Sequence, residues 1–124
     1  MKTIIATENA PKAVGPYSQA VEANGTLYIS GQIPVNPANG EVAEGIEEQA
    51  KQVMKNIGAI LEAAGLNANN VVKTTVLLDD LANFATVNAI YAEFFTGDKP
   101  ARACFQVAAL PLGVKVEIEA IAVR

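Results

Sequence analysis

Histidine and tryptophan are absent from this chain of 124 residues, and Cys104 is its only cysteine. The absence of histidine excludes a histidine-based catalytic triad, a histidine relay and a histidine-ligated metal. A single cysteine excludes an internal disulfide and the thiolate sites that hold zinc or iron–sulfur clusters. Any catalysis must use carboxylates, arginine, tyrosine, hydroxyl groups, the lone thiol, backbone amides and water. We therefore expect no metal and no cofactor.

Basic residues are also scarce. Nine Lys and Arg stand against 13 Asp and Glu, for a formal net charge of −4, and the cations are scattered along the chain. Domains that bind nucleic acid are normally basic, so no nucleic-acid partner is expected. Neither GxGxxG nor GxxxxGK[ST] occurs, which argues against a bound nucleotide.

Long apolar runs are missing as well, although 51% of the residues are hydrophobic, as in a globular protein. No run is long enough to span a bilayer, and the apolar stretch at residues 3–6 is too short for the core of a signal peptide. The expectation is a soluble, cytoplasmic protein without a membrane partner.

The length fits one domain over residues 1–124. Apolar residues at steps of three and four predict helices at 46–64 and 84–94, and Gly65 suits a helix end. Asn24-Gly25 is typical of a hairpin turn. The predicted strands are Lys2–Ala6, Tyr17–Ala23, Thr26–Gly31, Val71–Asp79, Arg102–Val107 and Val114–Val123.

This order predicts an α+β fold, with a mixed sheet of about six strands and two helices on one face. Two helices can cover only one face of such a sheet, yet the strands are apolar on both faces. Val72, Val76 and Leu78 alternate with Val71 and Leu77, and Val116, Ile118, Ala120 and Ala122 alternate with Lys115, Glu117, Glu119, Ile121 and Val123. We expect another copy of the chain to cover the second face, in an obligate homo-oligomer with Glu117 and Glu119 at or near its interface.

The segment Pro100–Cys104 carries the clearest chemical signal. Arg102 and Cys104 are two residues apart, so in a strand their side chains leave the same face. A guanidinium can grip a carboxylate through two parallel hydrogen bonds. The sequence thus predicts a site for a small organic acid, close to the strand that carries Glu117 and Glu119.

Five segments together resemble the reactive-intermediate deaminase family, also called the YjgF-like or imine deaminase family. They are Gly15–Gln19 (GPYSQ), Ile29–Pro34 (ISGQIP), Phe84–Asn88 (FATVN), Pro100–Cys104 (PARAC) and Val116–Ala120 (VEIEA). The resemblance implies a chorismate-mutase-like fold and a homotrimer whose sheets form a central barrel. It also implies three active sites in the clefts between subunits.

The implied reaction is the hydrolysis of reactive 2-imino acids and their enamine tautomers to 2-oxo acids and ammonia. The typical substrate is 2-aminoacrylate/2-iminopropanoate, which pyridoxal-phosphate dehydratases release from serine. The resemblance assigns carboxylate binding to Arg102, and the orientation or activation of water to Glu117. The other positions that match the cleft lining are Tyr17, Ser30, Gly31, Asn88 and Cys104.

Two positions depart from the family pattern. Gln106 and Ala109 stand where members often carry an acidic–basic pair, and Gln106 shares the strand face of Arg102. Each assigned residue also has a structural reading. Arg102 can be a surface cation, Cys104 a buried small hydrophobe rather than a nucleophile, and Glu117 part of a solvated strand face.

Two other functions remain open at this stage. The same cleft can serve a non-catalytic regulatory module that binds a small carboxylate. An endoribonuclease activity, sometimes attributed to this family, is disfavoured by the net charge and the missing histidine.

Overall fold

The computed structural model describes all residues, 1–124, and contains the six strands and two helices in the predicted order. The elements are β1 (Thr3–Ile5), β2 (Ala20–Ala23), β3 (Thr26–Gln32), α1 (Gly45–Ala63), β4 (Val71–Leu78), α2 (Phe84–Phe94), β5 (Ala101–Gln106) and β6 (Val116–Val123). Neither helix combines the length and the apolar composition that a transmembrane helix needs.

All six strands form one mixed sheet in the order β1-β2-β3-β6-β4-β5. Neighbouring strands are antiparallel except β4 and β5, which are parallel and are connected through α2. The two helices pack against each other, and α1 also packs on β3 and β6. The predicted α+β fold, with a mixed six-stranded sheet and both helices on one face, is therefore confirmed.

The hydrophobic core lies between the helices and this covered face of the sheet. The side chains of β6 alternate as predicted, with Val116 and Ile118 buried and Glu119 exposed. The stripe of α1 that faces the sheet is spaced at three and four residues, because 3.6 residues make one turn. Its buried apolar members are Ala50, Val53, Met54, Ile57, Ile60 and Leu61.

The second face of the sheet, which we call the open face, has no helix over it. It exposes Ile4, Tyr28 and Phe105, three large apolar side chains from three different strands. Exposed apolar surface of this kind is typical of a protein–protein interface. The homotrimer with a central barrel agrees with this face and stays a prediction.

The predicted strand at Tyr17–Ala23 is too long, because β2 begins only at Ala20. Gly15-Pro16 forms a turn in which the Tyr17 amide donates to the Gly15 carbonyl at 2.8 Å. The carbonyls of Ser18 and Gln19 accept hydrogen bonds from the hydroxyl and the amide of Ser30, and the side chain of Gln19 binds the backbone of Thr7, so the regular ladder stops at Ala20. Tyr17 therefore lies on a loop.

The alternation predicted for β4 is wrong at its start. Val71 pairs with Ala122 and is buried, whereas Val72 is an exposed extra residue in a bulge before Lys73. A bulge inserts one residue into one strand of a pair and so reverses the side-chain faces on either side of it. The other predicted boundaries differ from the structure by two residues at most.

Candidate active site

Arg102 lies on β5, the edge strand of the sheet, with its side chain on the helix-covered face. Its Nη1 donates a hydrogen bond to Asn88 Oδ1 at 2.8 Å. The guanidinium carbon lies 4.9 Å from the ring centre of Tyr91 and 5.5 Å from that of Phe84. Arg102 takes part in none of the ion pairs in the chain. The remaining N–H groups of its fork are thus available to an external carboxylate.

The helix α2 supplies the groups that hold this guanidinium. Phe84, Asn88 and Tyr91 are spaced by four and three residues, which places them on one helix face. The Tyr91 hydroxyl shares a 2.7 Å hydrogen bond with Thr74 Oγ1 of β4, and burial raises the pKa of Tyr91. This neutral, fixed ring orients the guanidinium of Arg102 without competing for it as an anion would.

Cys104 follows on the same face of β5 and is half-buried beside the core. Burial raises the pKa of its thiol, and the positive charge of Arg102 only partly opposes this effect. A nucleophilic cysteine needs its thiolate, which a raised pKa disfavours. The structure therefore fits a Cys104 that lines the site and does not attack a substrate.

The side chain of Gln106, at the end of β5, accepts a hydrogen bond from the backbone that precedes α2. Its Oε1 accepts a hydrogen bond from the Leu81 amide at 2.9 Å, in the short turn that precedes α2. The amide that replaces the family's frequent acidic residue thus ties β5 to the start of the helix that carries Asn88.

Glu117 lies on β6 with its side chain on the open face, where it is half-buried. Burial raises the pKa of its carboxyl, and the negative charge of Glu119 raises it further. Both effects disfavour the charged form. A carboxylate with a raised pKa is suited to accept a proton from water near neutral pH.

Gly31 makes room for this carboxylate. A Cβ atom at Gly31 would lie only 2.0 Å from Glu117 Oε2, far inside ordinary contact distance. The chain bulges here, because Ile29 pairs with Ala120 while Gln32 already pairs with Ile118. The bulge brings the backbone of β3 against the side chain of Glu117, so a side chain at position 31 would displace that carboxylate.

Ser30 lies in the same bulge, and its hydroxyl and amide both form hydrogen bonds with the backbone of the loop before β2. Its Oγ donates to the Ser18 carbonyl at 2.6 Å, and its amide donates to the Gln19 carbonyl at 3.0 Å. Ser30 therefore fastens β3 to the loop that carries Tyr17.

Tyr17 is exposed and lines two cavities, one of about 300 Å³ that also borders Gly31 and one of about 790 Å³ that also borders Ser18. The loop beneath it is held by the buried side chain of Gln19. That amide accepts from the Thr7 amide at 2.7 Å and donates to the Thr7 carbonyl at 3.0 Å and the Pro11 carbonyl at 2.8 Å.

The predicted site residues form two separate groups in one chain. We call Arg102, Asn88 and Cys104 the anchor half, and Glu117, Gly31, Ser30 and Tyr17 the water half. The sequence placed Arg102 close to the strand of Glu117, but β4 lies between β5 and β6, and the two side chains leave opposite faces. From the register, their backbones lie about 10 Å apart across the sheet and about 10 Å apart along it.

Sequence reasoning missed the aromatic residues that support Arg102. Phe84 and Tyr91 belong to the apolar spacing that predicts α2, and that spacing alone does not indicate that their rings lie against Arg102. The usable signal was their spacing around Asn88, since three side chains on one helix face lie against a single neighbouring group. No group of three or more His, Cys, Asp or Glu side chains is placed to hold a metal ion.

Comparison with known proteins gives concordant matches over the whole chain. The family model described as Endoribonuclease L-PSP matches residues 7–124. The mouse protein named 2-iminobutanoate/2-iminopropanoate deaminase is 58% identical over 125 residues, covering 100% of this chain and 93% of the relative. The Escherichia coli K12 protein of the same name is 56% identical over 127 residues, covering 100% and 99%. A crystal structure of a Rid-family protein from Yersinia pestis superposes with a TM-score of 0.98 at 51% identity and covers 100% of both chains.

Proposed function

This chain belongs to the Endoribonuclease L-PSP family, and we propose that, like its relatives named as deaminases, it hydrolyses reactive 2-imino acids and their enamine tautomers. Typical substrates are 2-aminoacrylate and 2-iminopropanoate, and the products are 2-oxo acids and ammonia. The observation that carries the proposal is the guanidinium of Arg102, which is oriented on three sides and has no carboxylate partner. The family model and the deaminase relatives confirm the resemblance seen in the five sequence segments.

Arg102 anchors the carboxylate of the substrate. Asn88 occupies one donor of the guanidinium, while the rings of Tyr91 and Phe84 fix its plane. A second pair of N–H groups can then bind both carboxylate oxygens in one orientation. Fixing the reactant in this way supplies a large part of the acceleration of an easy reaction, because the C=N bond is already electrophilic.

Glu117 provides the base. It accepts a proton from water as the water oxygen adds to C2 of the protonated imine, which gives a neutral carbinolamine. Glu117 then passes this proton to the amine nitrogen, the C–N bond breaks with loss of ammonia, and the hydroxyl proton returns to Glu117 as the C=O bond forms. The raised pKa of Glu117 suits both proton transfers.

One chain cannot bring these two groups to a single small substrate, since they lie on opposite faces of the sheet. We therefore expect the anchor half of one copy to meet the water half of its neighbour. A homotrimer with three such clefts, assembled through the open face, would satisfy this requirement, and the exposed apolar side chains of that face support it.

The activity is tested by mixing a serine or threonine dehydratase with its amino acid and following the decay of the imine. Faster decay in the presence of this protein is the expected result. Carboxylate binding without faster decay would instead support the regulatory module. RNA cleavage that survives Arg102→Ala would support an endoribonuclease.

The composite site is tested by co-expression of Arg102→Ala with Glu117→Gln. Each variant alone should be nearly inactive. In mixed oligomers, about one quarter of the interfaces should combine an intact Arg102 with an intact Glu117, so about a quarter of the activity should return. If both groups acted from one chain, no mixture would recover activity. The control is a mixture of the separately purified variants, which should stay inactive until their subunits exchange.

Gly31→Ala should lower kcat/KM for 2-iminopropanoate by about 10²-fold, because the new Cβ would displace the carboxylate of Glu117. The backbone at Gly31 lies outside the left-handed region, so alanine is tolerated there and the fold should persist. Steady-state kinetics and a thermal melt measure the two effects. Gly58→Ala in α1 is the matched control and should change kcat/KM by less than about twofold. If Gly31→Ala and Gly58→Ala had the same kcat/KM, the result would show that Glu117 is not part of the active site.

A further inference from the structure

Leu112 has a backbone conformation that leucine rarely adopts. It lies between β5 and β6 in the short turn Pro111–Gly113, with φ 57° and ψ 17°. In this left-handed region the Cβ atom crowds the next carbonyl oxygen, so Gly, Asn and Asp are favoured there. The other left-handed residue that is not glycine is Asn24, which suits its hairpin turn. Strained positions of this kind concentrate at functional sites.

The side chain of Leu112 is also unusually exposed for its type, at 74%. Its neighbours Leu110 and Val114 are buried, and the amide of Gly113 donates to the Leu110 carbonyl at 3.1 Å. The turn is therefore fixed at both ends, while the leucine between them projects away from the core. Packing within the chain does not account for an apolar residue at this position.

Leu112 borders the cavity of about 300 Å³ that Tyr17 and Gly31 also line. Val14, which is 88% exposed, lines the same cavity, as do Ile33 and Val35. The lining also includes the polar side chains of Lys12, Gln19, Gln32 and Asn36, but no carboxylate. Leu112 and Val14 give the cavity an exposed apolar portion beside the water half of the proposed site, and its size suits a small organic group.

We infer that Leu112, together with Val14, forms the subsite for the side chain of the 2-imino acid and favours aliphatic over polar side chains of similar length. The inference rests on the proposed function. C2 of the substrate carries the carboxylate, the imine nitrogen and the side chain. With the carboxylate bound by Arg102 and C2 facing the water held by Glu117, the side chain points away from both groups. The Leu112 cavity offers that substituent an apolar surface, and burial there excludes water from it.

The test compares the imines of leucine and glutamine, generated by an L-amino acid oxidase, in Leu112→Asn and Leu112→Met. Asparagine relieves the backbone strain and removes the apolar contact, while methionine keeps the apolar contact. The ratio of kcat/KM for the leucine imine to that for the glutamine imine should fall about tenfold in Leu112→Asn. It should stay within about twofold of the original in Leu112→Met. The melting temperature of Leu112→Asn should rise by roughly 3 °C.

If Leu112 had only a structural role, Leu112→Asn would not combine greater stability with poorer discrimination between the two imines. An unchanged ratio in Leu112→Asn would overturn the inference, and so would an equal loss on both imines. A fall in the mass of the oligomer would show that Leu112 holds copies together, and a fall in the melting temperature would show that it stabilises the fold; either result would overturn the inference. If the unaltered protein accelerated the decay of no imine, the proposed function itself would fail.

Discussion

Arg102→Ala should lower kcat/KM for 2-iminopropanoate by about 10²- to 10³-fold, because the substrate loses a charge-assisted, bidentate partner and its fixed orientation. The loss should appear in both kcat and KM, since orientation affects the chemical step as well as binding. The dehydratase-coupled assay measures it at saturating and limiting amino acid. The fold should survive, because the Arg102 side chain is exposed and forms no ion pair.

Arg102→Lys is the matched control for this result. Lysine keeps the positive charge but lacks the planar fork and cannot satisfy Asn88 and both carboxylate oxygens in the same geometry. Its kcat/KM should lie between that of Arg102→Ala and that of the unaltered protein, about tenfold below the latter. Equal activity in all three proteins would mean that Arg102 is only a surface cation.

Glu117→Gln should lower kcat by about 10²- to 10³-fold, because glutamine keeps the shape of the side chain and cannot accept a proton from water. In the unaltered protein the rate should fall as the pH drops through the pKa of Glu117, since the protonated carboxyl is no longer a base. Burial and Glu119 raise that pKa, so the fall should occur at higher pH than for an ordinary glutamate. The pH profile of kcat/KM measures the effect, and Glu117→Gln should lack this limb.

Glu119→Gln separates the two causes of the raised pKa. Glu119 is exposed on the same strand, and its negative charge disfavours the ionised form of Glu117. Removing that charge should move the acid limb to lower pH while the plateau rate stays close to the original. If the acid limb of the pH profile did not move, the group that titrates there would not be Glu117.

Local signals account for most of what the sequence predicted correctly. The hairpin at Asn24-Gly25 follows from two residues that tolerate a positive φ, at 52° and 77°. The second helix follows from the spacing of its apolar stripe and has the predicted bounds. Both depend on residues within a few positions of each other, where chain geometry leaves few alternatives.

The predictions from the sequence are wrong where contacts between distant residues determine the local structure. Tyr17 lies on a loop, because the buried amide of Gln19 holds the preceding segment through backbone groups up to twelve residues away. The bulge at Val72 depends on the register with β6 and has no local signature. Alternation predicts which residues of one strand share a face, but not which face of the next strand they join. For this reason the sequence could not place Arg102 and Glu117 on opposite faces.

The opposite orientation of those two side chains has a genetic corollary. Under the proposed pairing, each working centre needs one sound contribution from each of two chains. When a chain defective at both positions is made alongside the normal one, intact centres decline as the square of the normal fraction rather than in proportion to it. One damaged gene copy of two would thus remove more than half of the activity, although every polypeptide still folds and assembles.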